Sequence, residues 1–192
     1  MVWNLRRNDY HWNYFLLLEE DVVRIARFIE PHEENFGSYS IELAKVLLAI
    51  GAETDVVCKL LVKVRVGKEV DNMGKCRELI SADLPEFPEW VVDVPRYGLQ
   101  LRPWSAWREG CKTQWWKAYT DLKHDRSGAF TQANLGNVLE AIAALFIAVL
   151  LYLKSVKVDA IAPFPALLRP PPQLGGVVTE SRNGLIIDLR VK

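Results

Sequence analysis

Apolar positions recur at spacings of three and four residues along this chain, and that spacing predicts helices. A first helix is expected over 13–29, with Tyr14, Leu18, Val22, Ile25 and Ile29 on one face. Pro31 ends it, because proline has no amide to continue the ladder. A second is expected over 40–62, with Leu43, Leu47, Ile50, Thr54, Val57, Cys58 and Leu61 as its buried stripe. Ser38 or Ser40 can cap its first free amides, and Glu42 suits the dipole of its first turn. A weaker pattern spans 71–81. A further helix is expected over 113–124, broken by Ser127-Gly128, and the longest over 132–154, with Thr131 as its N-cap. The last is apolar nearly all round from Ala141 onward, which assigns it to the centre of a bundle.

Two stretches break this rhythm. Pro85, Pro88, Pro95 and Pro103 forbid a continuous helix over 84–103. Residues 90–94 and 98–102 there read as short strands or an extended aromatic loop, and 84–112 as an insertion. From Asp159 onward Pro163, Pro165 and Pro170-Pro171-Pro172 favour an extended, polyproline-like tail. Residues 177–180 and 185–189 read as strands around a turn at 181–184, where Asn183-Gly184 is a strong hairpin signal. The expected fold is therefore mainly α: an up-and-down bundle of four to five helices with a Pro/Trp-rich insertion and a C-terminal β-hairpin. The helical domain spans 1–158 and the Pro-rich tail 159–192.

Composition narrows the function classes. Lys plus Arg equals Asp plus Glu at 24 each, so no global basic field draws the chain to nucleic acid or anionic lipid. Local basic clusters remain at Arg6-Arg7 and at Lys63, Arg65 and Lys68. The uncharged run 141–153 is shorter than the roughly 20 residues a bilayer span needs. Glu140 and Lys154 bracket it, so a buried core helix is expected and no membrane partner. Cys58, Cys76 and Cys111 lie far apart without metal-ligand spacing. No metal and no cofactor are expected, and a reducing cytoplasm is the expected location.

The densest chemistry lies at 115–126, Trp-Trp-Lys-Ala-Tyr-Thr-Asp-Leu-Lys-His-Asp-Arg. Helical spacing places Lys117, Asp121 and His124 along one face. His124 is a candidate general acid or base, because imidazole titrates near neutrality; alternatively it serves a helix C-terminus. Asp121 can orient it, or simply pair with Lys117. Lys123 and Arg126 are candidate phosphate contacts, or a solvated helix end. Trp116 and Tyr119 share a face and can stack a base or anchor a core or interface. Glu53 and Asp55 are candidate partners of this cluster across the bundle, with pairing to Lys59 and Lys123 as the simpler alternative. His11 and His32 show no ligand spacing.

Two segments resemble the HEPN superfamily of small helical domains. One is 39–59, a long early helix with an acidic residue near its middle. The other is Tyr119-Thr-Asp-Leu-Lys-His-Asp-Arg126 followed by the long apolar helix. With the first helix, the resemblance covers about 13–62 and 113–155. It implies a bundle usually paired as a dimer. In the ribonuclease members an Arg, a polar residue and a nearby His act in two copies to cleave RNA without metal. His124 matches that His. Lys117 or Thr120 stands where the Arg is expected, and Arg126 follows the His. Lysine lacks the guanidinium fork, so the motif departs from the nuclease pattern.

The resemblance thus implies either a metal-independent endoribonuclease or RNA/nucleotide-binding component of a defence or toxin–antitoxin system, or a non-catalytic dimerisation or adaptor module. RNA or a nucleotide, a cognate antitoxin or defence partner, and a second copy of the chain are the implied partners. Five of the seven tryptophans fall between 90 and 116. The helix bearing Trp116 and Tyr119 is therefore expected near a two-fold axis.

Overall fold

The computed structural model describes residues 10–174, 177–181 and 184–190. It is a mainly α bundle with a small antiparallel C-terminal sheet, as the periodicity predicts. Five helices run in order: α1 (Tyr10–Ile25), α2 (Ile41–Val66), α3 (Met73–Asp83), α4 (Gln114–His124) and α5 (Leu135–Ser155).

α5 is the axis of the core. Sixteen of its 21 residues are buried, which accounts for its apolar character on every side. It is long and apolar enough to cross a membrane by composition, yet 83% of its most apolar window is buried within the fold. α1, α2 and α4 all pack on it, and α3 packs on α2. Phe15 stacks between Trp12 and Phe146, with ring centroids 5.1 and 5.0 Å away. Each such side chain taken from water stabilises the fold by about 1.5–3 kcal/mol. The predicted α2 stripe, from Leu43 to Leu61, is buried at every position.

Helix ends follow local chemistry. Ser40 is the N-cap of α2, its Oγ accepting from the Leu43 amide at 3.1 Å. α2 runs one turn beyond the predicted end, to Gly67, whose φ of 70° closes the helix in the left-handed conformation that glycine tolerates. α1 stops four residues before its expected end. Its last turn tightens as Arg27 and Phe28 donate to Arg24 and Ile25 in i−3 bonds. The N-cap of α5 is Asn134, not Thr131. Its Oδ1 accepts from the Asn137 amide at 3.0 Å, while Thr131 lies in a short 3₁₀ turn at Phe130–Gln132.

The insertion builds a second aromatic core. β1 (Val92–Val94) and β2 (Leu99–Leu101) pair antiparallel across a turn ending at Gly98. Around them the rings of Phe87, Trp90, Trp104, Trp107 and Trp115 touch in a continuous chain, closest at 4.3 Å between Trp104 and Trp107. The tail differs from a plain polyproline segment. β3 (Ala160–Ile161) pairs with β5 (Gly184–Asp188), which also pairs with β4 (Val177–Ser181). The centre of the predicted hairpin turn, 182–183, lies outside the described residues. Glu19 ties the tail to α1: its buried carboxylate accepts from the backbone amides of Ala166, Leu167 and Leu168.

Candidate functional site

α4 is amphipathic, and its two faces have different fates. Trp115, Trp116, Ala118, Tyr119 and Leu122 are buried; Lys117, Lys123 and His124 are exposed. Trp116 is 9% and Tyr119 6% exposed. Their rings contact each other at 5.0 Å, and Trp116 continues the aromatic chain through Trp115. Tyr119 lies flat on α2 at Gly51, where a β-carbon would sit 2.3 Å from its Cδ2. Of the two readings of Trp116 and Tyr119, their burial fits the core one: neither ring is presented to a nucleobase, which corrects their expected binding role. A glycine in α2 and an aromatic run beside it bring the helices too close to leave those rings on a surface.

On the polar face Lys117 Nζ and Asp121 Oδ2 lie 2.6 Å apart, one helical turn along. Gln132 donates to the same carboxylate at 3.1 Å. The Lys117 hydrogen bond, seconded by Gln132, holds the Asp121 carboxyl below its ordinary range. His124 ends the helix, where Lys123 and His124 together suit the negative end of its dipole. It shares a shallow cleft of about 610 Å³ with Lys112, Thr120, Asp121 and Gln132. Among the described residues no hydrogen bond or ion pair orients its ring.

The other candidates lie elsewhere. Arg126 lines a separate cleft with Ile41, Glu42 and Leu48. Lys123 Nζ sits 5.9 Å from the Tyr119 ring centroid. Asp55 pairs with Lys59 along α2. Glu53 Oε1 lies 2.6 Å from His11 Nδ1, with the Tyr152 ring edge-on to the imidazole at 5.5 Å. Glu53 and Asp55 thus pair with His11 and Lys59, and among the described residues no hydrogen bond or ion pair joins either of them to Lys123 or His124. The basic cluster at 63–68 is neutralised in part, Lys63 by Glu69 and Arg65 by Asp83; Arg6 and Arg7 lie outside the described residues.

Sequence reasoning missed two features. The His11–Glu53 pair spans 42 positions, and no local spacing signals it. Glu140 served only as a marker for the end of an apolar run. In the fold it sits between the fully buried Leu139 and Ala141, and burial pushes its carboxyl up to about 7. A charged residue inside, rather than beside, a buried helical run was the signal available. Among the described residues no group of three or more acidic, His or Cys side chains is arranged to hold a metal ion.

Comparison with protein-family models, with curated proteins and with solved structures found no match.

Proposed function

We propose that this protein is a non-catalytic, HEPN-like helical-bundle module that acts by association. It would serve as a dimerisation or adaptor component in the cytoplasmic, RNA- or nucleotide-linked defence setting that the sequence resemblance implies. One observation carries this reading. The helix that would supply the chemistry leaves His124 exposed and unoriented, while Lys117 and Asp121 neutralise each other. A general acid–base imidazole needs a partner to fix its tautomer and aim. Lysine cannot reproduce the guanidinium fork of the nuclease motif. The alternative, a metal-independent endoribonuclease with candidate groups His124, Lys117 and Asp121, would need those groups to be rearranged.

The surface that supports association is on α1. Tyr10, Tyr14 and Leu17 are exposed at i, i+4 and i+7, forming an apolar row on the helix face away from Phe15; Tyr14, expected in the buried stripe, lies at the edge of that stripe and is 40% exposed, because α1 turns Trp12, Phe15, Leu18 and Val22 inward instead. Exposed apolar rows of this kind mark contact surfaces, and tyrosine is enriched there. Two copies of one row are self-complementary about a two-fold axis. The wild type is expected to sediment as a dimer at micromolar concentration, and Leu17→Glu as a monomer with the helical content of the wild type by circular dichroism. A monomeric wild type, or a dimer indifferent to Leu17→Glu, overturns the reading.

A further inference from the structure

The α1 row is too small to hold two copies together by itself. Tyr10, Tyr14 and Leu17 are 82%, 40% and 60% exposed. A whole aromatic side chain buries roughly 150–250 Å², so the three together offer on the order of 350 Å². A stable association takes about 800 Å² from each partner. An interface on this row must therefore reach further along the chain.

The same face supplies the extension. Helical spacing continues the row from Leu17 through Asp21 and Arg24 to Phe28, in the tight turn that follows α1. Phe28 is 87% exposed. Beside it a cleft of about 390 Å³ opens between the end of α1 and the start of α2. Ile25, Ile29 and Val46 line it together with Phe28. Its charged residues are paired within the chain: Arg24 lies 3.5 Å from Asp21, and Lys45 2.8 Å from Glu42. Apolar walls with balanced charge suit a neutral ring carrying a polar tip, and they do not select an ion.

Tyr10 is such a group, and its place on α1 matches the cleft. It lies seven residues before Leu17, and Arg24 lies seven residues after. Each step is two helical turns, about 10 Å along the axis. Two α1 helices packed antiparallel about a two-fold axis at Leu17 therefore set Tyr10 over the partner's Arg24, at the mouth of the cleft. Symmetry fills the second cleft in the same way. Antiparallel packing also opposes the two helix dipoles. Parallel packing aligns them, sets Arg24 against the partner's Arg24 and leaves both clefts empty.

Resting on the association reading, we infer that the dimer is antiparallel and reciprocal, with Tyr10 of each copy seated in the Phe28 cleft of the other. The ring packs on the partner's Phe28 and Ile29, and its hydroxyl stays among the paired charges. Phe28 is thus half of the interface, although it lies about 18 residues from Tyr10 and outside the row.

The test joins sedimentation to disulfide trapping in the full chain, with Cys111→Ser throughout the trapping because that thiol is exposed. Phe28→Glu and Tyr10→Ala are each expected to weaken dimerisation about tenfold or more, the weight of an aromatic anchor, with the helical content of the wild type. Asn13 and Glu20 are exposed on one edge of the α1 face, on either side of Leu17. Under mild oxidation Asn13→Cys is expected to couple to Glu20→Cys when the two chains are mixed, and not to itself. A monomeric wild type would overturn the association reading and this inference with it. A dimer that Leu17→Glu breaks and Phe28→Glu does not would overturn this inference alone. So would a dimer in which Asn13→Cys couples to itself, or in which the mixed product fails to form.

Discussion

Glu19→Ala is expected to destabilise the protein by about 3–5 kcal/mol, because it removes the acceptor of three backbone amides, two of them in buried bonds. Glu19 is 2% exposed, and its two carboxylate oxygens accept from Ala166, Leu167 and Leu168 at 2.9–3.1 Å. The Leu167 and Leu168 bonds are buried. Hydrogen bonds to a charged acceptor are worth more than neutral ones, and leaving the donors unmade costs their desolvation in full. The damage should begin at the junction between α1 and the tail. Urea denaturation gives the magnitude, and amide exchange at Leu167 and Leu168 gives the place. Glu19→Gln, which keeps one acceptor oxygen but turns an NH₂ toward the amides, should lose less. A loss under about 1 kcal/mol, with both amides still protected, would show that the tail is held by something else.

Trp104→Ala should cost a similar amount, about 3–5 kcal/mol, by leaving a cavity where four aromatic side chains meet. Trp104 is fully buried, and its ring touches Phe87, Trp107 and Trp115. Its Nε1 has no acceptor, so the residue contributes by volume and ring packing alone. Trp104→Phe should therefore recover much of the loss, since it gives up no hydrogen bond. Trp115 makes the useful contrast, because its Nε1 donates to the Pro103 carbonyl at 2.8 Å. Denaturant midpoints and near-ultraviolet circular dichroism read both variants. If Trp104→Phe proved as damaging as Trp104→Ala, ring packing would not be the source of the stability.

What the sequence made legible was local. The stripe Leu43–Leu47–Ile50–Thr54–Val57–Cys58–Leu61 repeats at the helical period, and every member is buried. The uncharged run within α5 reads as a core helix because no surface helix tolerates apolar residues all round. What stayed hidden depends on partners distant in sequence. Glu19 looks like any acidic residue on a surface helix until residues 166–168 arrive beside it. His11 and Glu53 meet only because α1 packs on α2. The aromatic residues of α4 had two readings, core or exposed face. Gly51 decides between them, since only a residue without a β-carbon lets Tyr119 lie on α2. Thr113 shows the opposite failure: its position predicts a cap, yet its hydroxyl is buried and accepts from no first-turn amide.

α4 buries its aromatic face in the core and leaves His124 exposed without a partner to orient it, and on that arrangement rests the proposal of a non-catalytic module. The most direct measurement is cleavage of single-stranded RNA, without divalent metal, by equal amounts of wild type and His124→Ala. Neither protein is expected to cleave above the buffer control at a concentration where the wild type is folded and dimeric. Cleavage by the wild type that His124→Ala abolishes, with the fold intact, would contradict it and assign His124 to a catalytic site.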